Sequence, residues 1–120
     1  MIRLVYCVSR SKDISVEEFR RYWNDEQFSV LMNAFKKLYK AIKTTKNLVL
    51  NVPMNTTMLE RQGTREPYDG IIELWWESAK YLIALNETSE AEGFRQKMRA
   101  FEKQFIDKSR STIFFSEYFE

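Results

Sequence analysis

Tyr68-Asp69-Gly70-Ile71-Ile72-Glu73-Leu74-Trp75-Trp76 is the most strand-like run in the chain. β-Branched and aromatic residues suit a pleated, half-buried surface. Alternate side chains of a strand face opposite sides. Ile71, Glu73 and Trp75 therefore share one face, and Ile72, Leu74 and Trp76 share the other. Both faces are apolar, so this strand needs cover on two sides.

Outward from it, three more segments read as strands: residues 2–9, 47–54 and 111–119. Pro53 cannot donate to a ladder, which places the second of these at an edge or an end. Between the first two strands lies a strong helix start. Ser15 and Glu18 form a capping box, with Ile14 and Phe19 at the positions of a hydrophobic staple. The apolar stripe then runs through Phe19, Tyr22, Trp23, Leu31, Phe35 and Leu38 to Ile42, with a gap at Asn24–Gln27 that predicts a kink or break. Residues 55–67 are polar, contain Gly63 and Pro67, and read as a long loop, either a lid or binding edge or a plain excursion. Ser78 is placed to cap a short helix over Ala79–Leu85. Ser89 and Glu92 form a second capping box, after which Phe94, Met98, Phe101 and Phe105 repeat at helical spacing.

The order is β-α-β-β-α-β. It predicts one α+β domain over residues 1–120, a ferredoxin-like antiparallel sheet with helices on one face. The right-handed crossover rule puts the first and third strands in the middle. Helices on one face leave the other bare. The last strand adds to the problem, with Ile113, Phe115 and Phe119 on one side and Phe114 and Tyr118 on the other. A soluble monomer avoids an aromatic patch of that size. The expected solution is a homodimer joined sheet to sheet, closing into a dimeric α/β barrel with room for a ligand.

Composition narrows the chemistry. Of 120 residues none is histidine, which removes Ser–His and Cys–His nucleophiles, imidazole-based zinc sites and the usual haem ligand. Cys7 is the single cysteine; it forms no internal disulfide, and no multi-cysteine metal site is available. No metal or other cofactor is expected. A net charge of +2 does not call for nucleic acid. Lys36, Lys40 and Lys43 share a face if residues 36–43 are helical, either as an anion patch or as lysines complementing a helix C-terminus. The chain offers no signal-like or membrane-spanning stretch, so a cytoplasmic location and no membrane partner are the default.

Phe19-Arg20-Arg21-Tyr22-Trp23 resembles the Phe-x-x-Tyr-Trp helix of the EthD family, and Asp69-Gly70-Ile71-Ile72-Glu73-Leu74-Trp75-Trp76 resembles that family's Asp-Gly-x-x-Glu-Leu-Trp-Phe strand. The resemblance extends from Ile2 to Glu117 and implies the dimeric α/β-barrel superfamily. Related barrels include cofactor-free monooxygenases, isomerases, cyclases and dehydratases. Fold alone does not choose among them. Family members commonly continue Tyr-Trp-x-x-x-His-Gly-Pro. Here Gln27 stands at the histidine position, and glutamine hydrogen-bonds but does not titrate.

Candidate catalytic residues are Glu73, Gln27 and Tyr22; candidate substrate-binding residues are Tyr6, Trp23, Trp75 and Phe115. Glu73, in the middle of an apolar strand, is either a general base with a raised pKa or one half of an ion pair with Arg3. Tyr6 and Tyr22 offer hydroxyls to a ligand carbonyl or bond to backbone groups instead. Trp23 and Trp75 wall a pocket or fill the core. Gln27 positions a substrate oxygen. The expected function is a cofactor-independent small enzyme of isomerase, cyclase, dehydratase or monooxygenase type, acting on an apolar or aromatic molecule in the barrel cavity. The alternative is a non-catalytic binding or carrier protein of the same fold. An RNA-binding sheet is disfavoured, because Glu73 and aliphatic residues stand where basic residues and glycines belong.

Overall fold

The computed structural model describes residues 1–120. The strands are β1 (Ile2–Val8), β2 (Lys43–Leu48), β3 (Gly70–Trp76) and β4 (Thr112–Glu117). The helices are α1 (Val16–Trp23), α2 (Glu26–Leu38), α3 (Pro53–Gln62), α4 (Leu82–Asn86) and α5 (Ser89–Glu102), and a 3-10 turn, η1, spans Lys108–Arg110. The sheet order is β2-β3-β1-β4, with every neighbouring pair antiparallel. This is the ferredoxin-like arrangement, with β1 and β3 central as the crossover rule requires.

Register assigns the faces. Leu4 stands opposite Leu74 and Phe115, and Tyr6 opposite Ile72 and Ile113. That face carries the core: Ile72, Leu74 and Trp76 are buried against helical residues. On the other face Val5 stands between Glu73 and Phe114, and Arg3 between Trp75 and Ser116. No helix covers it.

The helical layer is held by rings. Phe19, Trp23, Phe28, Phe101 and Phe105 lie with centroids 5.3–5.7 Å apart. Such pairs contribute about 0.5–1.5 kcal/mol each beyond burial. The break inside the first helical stretch has a local cause. Asp25 takes an extended backbone and its side chain accepts from the Gln27 N–H at 2.7 Å, so a new cap starts α2 two residues after α1 ends. Lys46 on β2 donates its Nζ to the Trp23 carbonyl that α1 leaves open. Burial there pushes the Lys46 amine below its ordinary pKa.

Four local expectations are corrected. The second strand runs over 43–48 rather than 47–54, because Thr44-Thr45 is itself good strand material and the Ile42 N–H already bonds the Trp75 carbonyl. Pro53 consequently opens α3 instead of ending a strand; at the first helical position its missing N–H costs nothing. Residues 55–67 are thus largely helical, up to Gly63, whose left-handed φ of 67° closes α3. Lys36, Lys40 and Lys43 do not share a helix face, since α2 ends at Leu38 and Lys43 lies on β2.

Caps at the last two helices also shift by small amounts. Thr88, not Ser89, caps α5, its side chain accepting from the Ala91 N–H. The Ser78 side chain accepts from the Lys80 N–H in a turn that precedes α4.

Candidate functional site

A cavity of about 490 Å3 lies between the core face of the sheet and the helices. Leu4, Ile72, Trp76 and Phe115 form its floor, and Phe35, Phe94 and Met98 its roof. It is therefore on the helical side of the sheet, opposite the face that sheet-to-sheet pairing would enclose.

Two polar clusters interrupt the apolar lining. In the first, the Tyr6 hydroxyl on β1 donates to Glu102 Oε2 on α5 at 2.7 Å. Lys108 Nζ, in η1, stands 3.1 Å from Glu102 Oε1. Glu102 is only 4% exposed. A buried carboxylate requires partners, and this one has a phenol and an ammonium. Each oxygen still keeps a further lone pair for a ligand. Burial first, and then the neighbouring Glu102 charge and the hydrogen bond to it, push the Tyr6 phenol well above its ordinary value of 10.0. Tyr6 is accordingly a proton-bearing donor across the physiological range.

The second cluster is Tyr39, Asn86 and Arg95. Tyr39 Oη donates to Asn86 Oδ1 at 2.6 Å. Arg95 Nη1 donates to Asn86 Oδ1 and to the Asn86 carbonyl, each at 2.8 Å. Arg95 and Glu102 are seven positions apart on α5, hence about 10 Å along one side of the helix.

Beside the cavity, Asp107 anchors η1. Its carboxylate accepts from Ser109 N and Oγ and from Arg110 Nε at 2.6–3.0 Å. The Ser109 hydroxyl bond and then the Arg110 bond hold its pKa down to about 2. That turn places Lys108 over Glu102.

Of the residues singled out from the sequence, Tyr6 and Phe115 line the cavity. Tyr22 stacks on Phe105 at 5.1 Å, and Trp23 is buried beneath Gly70. Gln27 is exposed on the first turn of α2. Glu73 and Trp75 stand on the bare face. Glu73 pairs with Arg3 at 3.2 Å, the cross-sheet alternative, and the Arg3 guanidinium lies 5.2 Å from the Trp75 ring. The structure thus does not bring these candidates together. It assembles instead Glu102, Lys108, Tyr39, Asn86 and Arg95, none of which was singled out. Glu102 left a readable mark: it falls four residues after Met98 and eight after Phe94, a carboxylate on the buried stripe of α5.

No group of three or more Asp, Glu, Cys or His side chains converges as a metal site. No helix is long and apolar enough to cross a membrane.

The fold has close parallels among solved structures. An EthD family protein from Bacillus halodurans matches over 99% of both chains, with a TM-score of 0.61 and 13% identity. The Arabidopsis thaliana protein At3g17210 matches over 100% of this chain and 97% of its own, with a TM-score of 0.57 and 12% identity. A dimeric ferredoxin-like protein of unknown function from Thermobifida fusca matches over 98% of this chain and 90% of its own, with a TM-score of 0.51 and 11% identity. At such identities the likeness is one of fold. No curated protein matches the sequence. The EthD domain profile, however, matches residues 11–109, a span that takes in the Tyr22-Trp23 helix, the Asp69-Gly70 strand and Glu102. By that match this chain belongs to the EthD family.

Proposed function

We propose that the protein is a small enzyme that takes up an apolar or aromatic molecule between sheet and helices and moves a proton on it. The observation that carries this reading is Glu102, a buried carboxylate at the edge of an apolar cavity with the Tyr6 hydroxyl 2.7 Å away. A carboxylate there can accept a proton from carbon next to a ligand carbonyl. The electron pair left behind moves onto the carbonyl oxygen. Of the three cations lining the cavity, Lys108 and Arg99 are nearest to Glu102 in sequence, on η1 and α5, and are the groups available to stabilise that oxyanion. Return of the proton elsewhere gives isomerisation, loss of hydroxide gives dehydration, and attack on a second carbonyl gives cyclisation. These reaction types share the first step, and this site serves that step.

A binding or carrier role is the second reading, favoured by one fact. Both Glu102 oxygens are already engaged, by Tyr6 and by Lys108. The test is deuterium exchange at the α-carbon of 2-tetralone in heavy water, followed by proton NMR. The enzyme reading expects acceleration that falls about 100-fold or more in Glu102→Gln. Binding of tetralone without acceleration supports the carrier. A loss in Glu73→Gln and not in Glu102→Gln would move the chemistry to the other side of the sheet.

The working form in this proposal is a homodimer joined through the bare face. Its support is the exposure of Phe114, 48%, and of Tyr118, 43%, beside the Arg3–Trp75 stack. The fold-mate from Thermobifida fusca is described as dimeric.

A further inference from the structure

The cavity is not electrically balanced. Arg95, Arg99 and Lys108 line it, and Glu102 is the carboxylate among them. Lys108 is paired with Glu102. Arg95 has no carboxylate partner. Its Nη1 is held by neutral oxygens only: the Asn86 carbonyl, Asn86 Oδ1 and, at 3.4 Å, the Tyr39 hydroxyl. These bonds fix the guanidinium in place at the mouth of the cavity without neutralising it. Tyr39 is itself buried and rigidly placed, since the Trp76 indole N–H donates to its carbonyl at 2.8 Å. A half-buried, oriented guanidinium with its other donor edge unused is the chemistry that recognises a carboxylate or phenolate in bidentate fashion.

Resting on the reading of this cavity as a ligand site, we infer that its ligand is an anion with an apolar body. The anionic group sits on Arg95, and the carbon to be acted on lies beside Glu102. The two polar clusters are about 10 Å apart along α5, so a ligand spanning both is about the length of a fused two-ring aromatic acid. Phe35, Phe94, Met98, Ile72 and Phe115 cover the body between them. Arg95 is thus a specificity residue: it selects charge and sets which end of the ligand enters first.

The experiment compares 2-naphthoate with 2-naphthamide, which share an apolar body and differ in charge, by calorimetry on the intact protein. Wild type is expected to bind naphthoate at least about tenfold more tightly. That preference should weaken as salt rises from low to high concentration, while naphthamide binding stays flat. Arg95→Met should bring the two affinities together. Lys97→Met, which removes an exposed charge from the same helix, should keep the preference. Equal affinities in wild type, no binding of either compound at low millimolar concentration, or a preference that survives in a folded Arg95→Met protein would overturn the inference. If Arg95→Met does not fold, the wild-type pair and its salt dependence decide alone. Preference with no α-carbon exchange in 2-tetralone or in its 6-carboxylate, which carries the anionic group, sinks the proton-transfer reading and leaves this one standing. Exchange without preference does the reverse.

Discussion

Gly70 and Trp23 touch so closely that a Cβ added to Gly70 would stand 2.5 Å from the Trp23 indole. The two segments that mark the family in sequence, one on α1 and one on β3, are therefore one structural feature: a tryptophan seated on a glycine. Trp23 is 2% exposed and ringed by Phe19 and Phe28, so it has nowhere to move. Gly70→Ala should destabilise the fold by about 1–3 kcal/mol, the usual cost of overpacking a tight core. Trp23→Phe should relieve part of that clash. Urea unfolding of both single variants and the double variant checks this: the double should lose less than the sum of the singles.

Tyr6 makes a second prediction, about alkaline pH. Its folded pKa is raised above 10.0 by burial and by Glu102. A raised value favours the neutral phenol in the folded state, so the associated stability is full below pH 10 and declines as pH rises beyond it. Tyr6 should resist ionisation until the protein unfolds, seen as delayed amplitude in an ultraviolet absorbance titration. Tyr6→Phe should remove that delayed step. It should also cost about 1–2 kcal/mol, because a buried Glu102 oxygen loses its donor.

Asp107 behaves in the opposite sense. Its pKa is held to about 2, chiefly by the Ser109 hydroxyl and then by Arg110. A depressed value means the stabilisation is present above the ordinary carboxylate range and is lost as pH falls through that range toward 2. Asp107→Asn should flatten the acid limb of the stability curve in that window. It should also loosen η1, which amide exchange at Ser109 would report as faster exchange.

The bare face yields a prediction about assembly. Phe114 stands on it opposite Val5 and is 48% exposed. Wild type should sediment at twice its 14.5 kDa chain mass at micromolar concentration. Phe114→Glu would bury a charge in an apolar seam and should weaken self-association by about 100-fold or more. Unaltered sedimentation of that variant would place the seam elsewhere.

What could be read in advance divides along physical lines. The sheet was legible because β3 and β1 are runs of β-branched and aromatic residues bounded by turn residues, and because the element order admits few topologies. The α1–α2 break was legible because Asn24-Asp25 interrupts the apolar stripe and supplies a new cap. α3 was not, because Pro53 suits a strand end and a helix start equally well. Its exposed faces, with Met54 at 64% and no residue buried, carry no periodic signal to decide. The cavity on the helical side of the sheet was not legible for a related reason. Residues such as Tyr39 and Asn86 meet only through packing of α2, α4 and α5, which no local pattern encodes. Glu102 carries a local mark, as an acid on an apolar stripe, but nothing local says that it meets Tyr6 and Lys108.

β1 has one further consequence, for how this chain can change length. Its odd and even side chains serve two different compartments, Leu4 and Tyr6 the cavity and Arg3 and Val5 the open side. Loss or gain of one residue between Arg3 and Tyr6 would bring the two onto the same face, forcing either Arg3 under the helices or Tyr6 to the open side. α3, with no buried residue, has no such constraint. Natural variation in length should therefore accumulate around residues 53–62 and be absent from β1, and a single-residue deletion scan read by soluble yield should reproduce that contrast.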